Sequence, residues 1–177
     1  MQTLQLFSER LIQTKFVPED YEDFKKLEMN YEVMKYIQGE ASDENRAAEK
    51  FVKVMGINAQ HVEFGFCCVR NRFDNSFIGL SKITAYADPE NPENPNVTCA
   101  EVGYSMLPEF WGKGIASEIA SRLIAYAKEL GSINKLFGLV DPENAASIKV
   151  LTKFGFKFYQ NGLWNNLPSA TYKLDLK

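Results

Sequence analysis

Residues 111–118 read Trp-Gly-Lys-Gly-Ile-Ala-Ser-Glu, two glycines and a lysine set between a strand-like run at 101–107 and a long stretch of helical period. A glycine-rich turn that opens a helix leaves the first N–H groups without acceptors and aims the positive end of the helix dipole at one place. That arrangement favours an anion, above all a phosphate. Two nucleotide motifs fail on named residues. A P-loop needs a serine or threonine after its lysine and an earlier glycine, whereas Gly114 follows Lys113 and the earlier glycine is missing. A dinucleotide fingerprint would begin at Gly112 and Gly114 but meets Ser117 in place of its third glycine, with no acidic residue about 20 positions on.

The elements that must hold this turn follow from hydrophobic period and punctuation. Residues 11–16 read as a strand, and Pro18 suits the first turn of a helix reaching about Met29. A short helix over 31–37 follows. Another begins near Ser42, with Ala47, Phe51, Val54 and Met55 at helical spacing. Residues 62–69 and 77–85 are β-branched and aromatic, with a hairpin turn at 71–76. Residues 88–96, dense in proline and asparagine, read as a surface loop and a substrate-side lip. After the glycine turn, Ala116, Ile119, Ala120, Leu123, Ile124, Ala127 and Leu130 mark one helical face, and Gly131 caps it. A strand at 135–140, a helix from Asn144 to Gly155 and strands at 156–159 and 170–176 complete a mixed-sheet α/β domain spanning residues 1–177.

Composition narrows the function classes. The 177 residues carry a formal net charge of −3, which lacks the basic stripe of a nucleic-acid binder and speaks against DNA as a partner. No run approaches the ~18 apolar residues of a membrane span, and residues 1–10 show no leader, so a cytoplasmic protein is expected. Cys67, Cys68 and Cys99 lack metal or redox spacing. The first two, adjacent in a strand, point to opposite faces and read as reduced packing residues. No metal site is expected, and His61 reads as non-catalytic.

The glycine turn resembles the acyl-CoA-binding pattern of the Gcn5-related N-acetyltransferase (GNAT) superfamily, Gln/Arg-x-x-Gly-x-Gly/Ala, with Gly114 and Ala116 at its small positions. Trp111 replaces the first residue, as in the branch resembling ribosomal-protein N-terminal acetyltransferases of the RimJ/RimL type, where W-G-K-G-x-A is common. Asn144-Ala145-Ala146-Ser147 followed by Lys153-Phe154-Gly155-Phe156 is similar to the same branch's N-x-x-S helix and closing G-F. The resemblance implies a mostly antiparallel sheet flanked by helices, with an acyl-CoA cleft between splayed central strands. It also implies acetyl-CoA as cosubstrate and direct transfer to a primary amine. The favoured acceptor is a protein N-terminal amine. A polyamine or aminoglycoside is the runner-up, and a non-catalytic acyl-CoA sensor is a different class of reading. Relatives that form dimers make a homodimer an option.

The same resemblance distributes roles. Lys113, Gly114, Ile115, Ala116 and Ser117 would cradle the pyrophosphate, and Ser105, Met106 and Leu107 would pair with the pantetheine arm, the Met106 N–H polarising the thioester carbonyl. Asn144 would hydrogen-bond the pantetheine or phosphate arm. Glu101, sharing a strand face with Gly103 and Ser105, would accept the amine's proton, and Ser147 would protonate the departing thiolate. Competing readings stand beside these. Glu101 reads also as a solvated strand-end carboxylate, Ser147 as a first-turn hydrogen-bonding residue and Lys113 as a plain surface lysine. Tyr104 and Tyr159 are alternative acids whose types suit packing. Trp164, Asn165 and Asn166 read either as an acceptor mouth or as a hairpin loop, and Asp88, Glu90 and Glu93 hint weakly at an acidic acceptor pocket.

Overall fold

The computed structural model describes residues 4–94 and 96–177. Met1 to Thr3 and Pro95 of the proline-rich loop lie outside the described residues. β1 (Gln5–Phe7) and β2 (Leu11–Lys15) form a hairpin, followed by α1 (Tyr21–Glu28), α2 (Tyr31–Met34) and α3 (Glu44–Gln60). β3 (Gly65–Asn71), β4 (Phe77–Tyr86) and β5 (Cys99–Met106) form an antiparallel meander. Then come α4 (Ile115–Leu130), β6 (Lys135–Val140), α5 (Ala145–Lys153) and the hairpin of β7 (Lys157–Trp164) with β8 (Leu167–Asp175). One sheet runs in the order β1-β2-β3-β4-β5-β6-β8-β7, and only β5 and β6 are parallel. This is the mixed, mostly antiparallel α/β architecture that the motifs imply.

Strand alternation sorts the core into two layers. Cys67 and Val69 join Ile119, Leu123 and Ala127 beneath α4, whereas Cys68 joins Phe16, Phe24 and Phe51 beneath α1 and α3. Burial pushes both thiols up to about 12, which keeps them protonated packing groups. Several boundaries differ from expectation, among them α2, which ends at Met34 and not at 37, and β3, which begins at Gly65 and not at 62. β1 exposes Gln5 and Phe7 and buries only Leu6, too short a pattern to show a period. The third helix is capped by Asp43, whose carboxylate accepts from the Arg46 N–H at 2.8 Å, while the buried Ser42 donates to Glu28. The closing strands are longer than their apolar runs because a turn with left-handed Asn165 and Asn166 joins them into a hairpin.

The 88–96 loop is not a lip of the cleft described below. Lys135, at the start of β6, holds Asp88 at 3.1 Å and Glu90 at 2.6 Å, which fixes the loop at the end of the sheet where β5 and β6 remain paired.

Candidate active site

β5 keeps register with β4 along its length, from Tyr86↔Cys99 to Gly79↔Met106. With β6 it pairs only from Cys99↔Lys135 to Glu101↔Phe137. Beyond Glu101 the two strands part, because β6 follows β8 up to Val140↔Ala170. The Leu107 N–H donates to the Ile78 carbonyl at 3.0 Å. Backbone direction alternates along a strand, so Ser105 also addresses β4 while Tyr104 and Met106 turn their backbone groups into the gap. The Trp111 indole N–H closes on the Met106 carbonyl at 2.9 Å from that side.

The glycine turn lies directly beyond. Gly112 (φ 71°) and Gly114 (φ 75°) are left-handed, a conformation that a Cβ penalises by about 1–2 kcal/mol. Gly114 is the N-cap of α4 and offers no side chain to its first turn. The first backbone hydrogen bond into α4 runs from the Glu118 N–H to the Gly114 carbonyl, leaving the N–H groups of Ile115, Ala116 and Ser117 open. Three cations border this cradle. Lys113 stands in the turn, Lys153 reaches the Ser117 hydroxyl at 3.3 Å, and the Arg10 guanidinium donates to the Lys113 carbonyl at 2.9 Å. Arg10 is held by Glu118, which also accepts from the Ser8 hydroxyl and the Arg10 backbone N–H at 2.6 and 2.7 Å. Burial opposes ionisation of Glu118, but these hydrogen bonds outweigh it and hold the carboxyl below its ordinary pKa. The open N–H groups and the bordering cations fit the pyrophosphate of an acyl-CoA.

Glu101 stands where the gap begins. Its side chain is only 13% exposed and is paired with Lys82 of β4, so it is not a solvated strand-end group. With Gly103, Tyr104 and Ser105 it lines a cleft of about 410 Å³ that runs from β5 and β6 to α1–α3 and the β7–β8 turn. Trp164 and Asn165 line that cleft, so the same residues serve as hairpin turn and as mouth.

Across the gap, Asn144 caps α5 by accepting from the Ser147 N–H at 3.2 Å. That uses the backbone of Ser147 and the carbonyl oxygen of Asn144. The Ser147 hydroxyl lies beside the Tyr104 phenol, whose oxygen is buried and makes no hydrogen bond. Burial raises the pKa of that phenol and the Ser147 hydroxyl offsets part of the rise, so Tyr104 stays a proton donor at neutral pH. Tyr104 also packs against the core beneath α4, as its residue type suggests. Arg10, Lys82 and Lys153 escaped notice, since each comes from an element distant in sequence from the turn or strand it serves.

Other expectations fall outside the cleft. His61 ends α3, packs edge-on against Phe64 with centroids 6.0 Å apart, and does not line the cleft. Asp88 and Glu90 are neutralised by Lys135 and Lys173 and provide no acidic pocket. No cysteine lines the cleft among the described residues, nor do three or more His, Cys, Asp or Glu side chains gather as a metal site. No helix among them is long and apolar enough to cross a membrane.

A family profile described as "Acetyltransferase (GNAT) domain" matches residues 10–157. The chain belongs to the GNAT acetyltransferase family. The GNAT chain is 28% identical to the N-acetyltransferase p20 of Bacillus licheniformis over 170 residues, covering 96% of this chain and 90% of that one. Its fold is similar to RimL, a ribosomal L7/L12 α-N-protein acetyltransferase solved with coenzyme A (TM-score 0.77, 14% identity, 97% and 98% of the two chains). It is also similar to a spermidine N-acetyltransferase from Vibrio cholerae solved with CoA and spermine (TM-score 0.74, 18% identity, 95% and 96%). These solved structures span more than one branch, so they show the shared fold and do not single out the RimJ/RimL branch. The GNAT domain is that of an acetyl-CoA-dependent acetyltransferase.

Proposed function

We propose that this GNAT domain moves an acetyl group directly from acetyl-CoA to a primary amine, with a protein N-terminal amine as the favoured acceptor. The observation that carries the reading is the divergence of β5 from β6 just past Glu101, which opens a passage between a phosphate-suited cradle and an amine-accessible cleft. Gly114 to Ser117 with Lys113 hold the pyrophosphate, Asn144 offers its amide N–H groups to the donor arm, and the 105–107 segment forms the wall along which that arm lies. The Met106 N–H faces the gap, where it stabilises negative charge developing on the thioester oxygen.

An ammonium has no lone pair with which to attack, so the incoming amine must first lose a proton. Glu101, directly or through one water, accepts it. The neutral amine nitrogen then forms a bond to the acetyl carbon and releases its second proton to solvent as the carbon–sulfur bond breaks, and the sulfur leaves with the electron pair. Ser147, across the gap, and Tyr104, on the face of β5 opposite Glu101, supply the proton that the thiolate takes up, and solvent restores it. The buried, protonated thiols leave no cysteine to carry the acetyl group.

Glu101→Gln tests the assignment. Removing a general base lowers kcat by about 10²–10⁴-fold, and activity should recover in part at high pH, where solvent deprotonates the amine. A pH–rate profile unchanged from the wild type removes Glu101 as the base. Acetyl-CoA binding without CoA release for any amine would favour the sensor reading over catalysis.

A further inference from the structure

The charges and apolar surfaces lining the cleft bear on which amines it takes. Three carboxylates and three lysines line it: Glu28, Glu101 and Asp141, against Lys50, Lys53 and Lys82. Two of the carboxylates are already engaged. Glu28, buried at the back, receives Lys50 at 2.7 Å and the Ser42 hydroxyl at 2.8 Å, and Glu101 receives Lys82. Asp141 lies at the far end of β6 and accepts the Glu143 N–H at 2.8 Å. Lys53, by contrast, faces the cleft with no carboxylate partner among the described residues.

The remaining wall is apolar. Phe24, Met34, Val54, Phe66 and Leu80 form its floor. Tyr36, Ile37 and Trp164 stand at its mouth with 36%, 38% and 49% of their surfaces open. A polyamine entering here would bring a second ammonium to a lining whose carboxylates and lysines already balance, with Asp141 alone free of a lysine, with Lys53 unpaired and with the rest of the wall apolar. Burying such a charge without a partner is costly. An amine on one apolar body instead covers the exposed aromatic mouth and brings only the charge that Glu101 handles.

We propose that the acceptor is a primary amine carried on a single apolar, aromatic-sized body without a second cationic centre, and that Lys53 and Trp164 enforce this choice. The proposal rests on the catalytic reading above and narrows it. Two sources share the chemistry: a small hydrophobic amine, and the first residue of a peptide whose side chain is apolar.

The test measures CoA release and calorimetric binding with phenethylamine, a peptide beginning with phenylalanine, a peptide beginning with glycine, and spermidine. Phenethylamine or the phenylalanine peptide should exceed spermidine by at least tenfold in kcat/KM, and whichever of the two leads identifies the source. Trp164→Ala should lower kcat/KM for that acceptor about tenfold while leaving the KM for acetyl-CoA unchanged. Lys53→Glu, a change at an exposed helix position, should narrow the preference over spermidine at least threefold. Spermidine matching or exceeding the apolar amines overturns the proposal and leaves the catalytic reading intact. Apolar amines that bind without being acetylated overturn the catalytic reading and support the acceptor preference. Absence of binding by every apolar amine overturns the proposal.

Discussion

Gly79 of β4 faces Met106, and Gly79→Ala probes the rail along which the donor is proposed to lie. A methyl group there would meet the Met106 Cα at 2.8 Å and the Ser105 carbonyl oxygen closer still, whereas ordinary contact starts at 3.4 Å. The shortfall at the Met106 Cα alone is about 0.6 Å, so β5 must yield by more than that at Ser105, and the obstacles are backbone, which has no rotamer with which to escape. Overpacking of this kind costs about 1–3 kcal/mol, which in a domain of this size lowers Tm by about 2–4 °C per kcal/mol. The displaced atoms belong to Ser105 and Met106, and a misplacement of about 1 Å can cost 10²-fold in rate. We expect about a tenfold loss in kcat/KM for acetyl-CoA, on the scale set by that misplacement. Gly103→Ala is the control: its methyl meets the flexible end of Lys82 at 2.9 Å, so Tm should fall less even though the Lys82–Glu101 pair is disturbed. Calorimetry and thiol-release kinetics on both variants decide the matter. A Gly79→Ala protein that melts within a degree of the wild type, with an unchanged KM for acetyl-CoA, refutes the rigid rail.

Tyr104→Phe deletes a buried hydroxyl that lacks a hydrogen bond, so it should leave Tm unchanged or raise it by a few degrees while lowering kcat at least tenfold. Loss of stability with kcat intact would make the phenol a packing group. Glu118→Gln tests the brace beneath the cradle through pH. Because the folded carboxyl lies below its ordinary pKa, its contribution is present above the unfolded value of about 4.3 and is lost as pH falls through the folded one. The Tm gap between wild type and variant should therefore close on acidification from about pH 5 to pH 3. A gap unchanged between pH 7 and pH 3 would contradict the assignment.

Local chemistry made the donor half of this protein readable. The spacing of apolar residues after Gly114, the capping role of Gly131 and the start of α5 at Asn144 are properties of contiguous segments, and each element stands where its pattern puts it. β6 occupies residues 135–140 because a short apolar run between turns has few alternatives. β1 was not readable, since three residues with one buried side chain have no period, and its pairing with β2 is what forms it. The 88–96 loop is a loop as its prolines require, yet its place at the closed end of the sheet depends on Lys135, 45 residues beyond Glu90. Tyr104 presents the same difficulty. Alternation puts it opposite Glu101 along β5, but only the parallel placement of β6 brings Ser147 of α5 beside it.

The acceptor half lies further from the sequence for a related reason. A pyrophosphate is met largely by backbone N–H groups and by charges near one turn, so residues 111–118 suffice to suggest it. An amine's carrier is met by side chains, and those of the cleft come from α1, α2, α3 and the β7–β8 turn, segments up to about 140 residues apart. Their charge balance becomes legible only when Glu28 is seen on Lys50 and Glu101 on Lys82, since the same residues counted along the chain would offer a polyamine several carboxylates. Substitutions that change the acceptor should therefore concentrate at Tyr36, Ile37, Lys53 and Trp164. Those that change the donor should concentrate between Ser105 and Ser117, and Glu101, at the junction, should affect both.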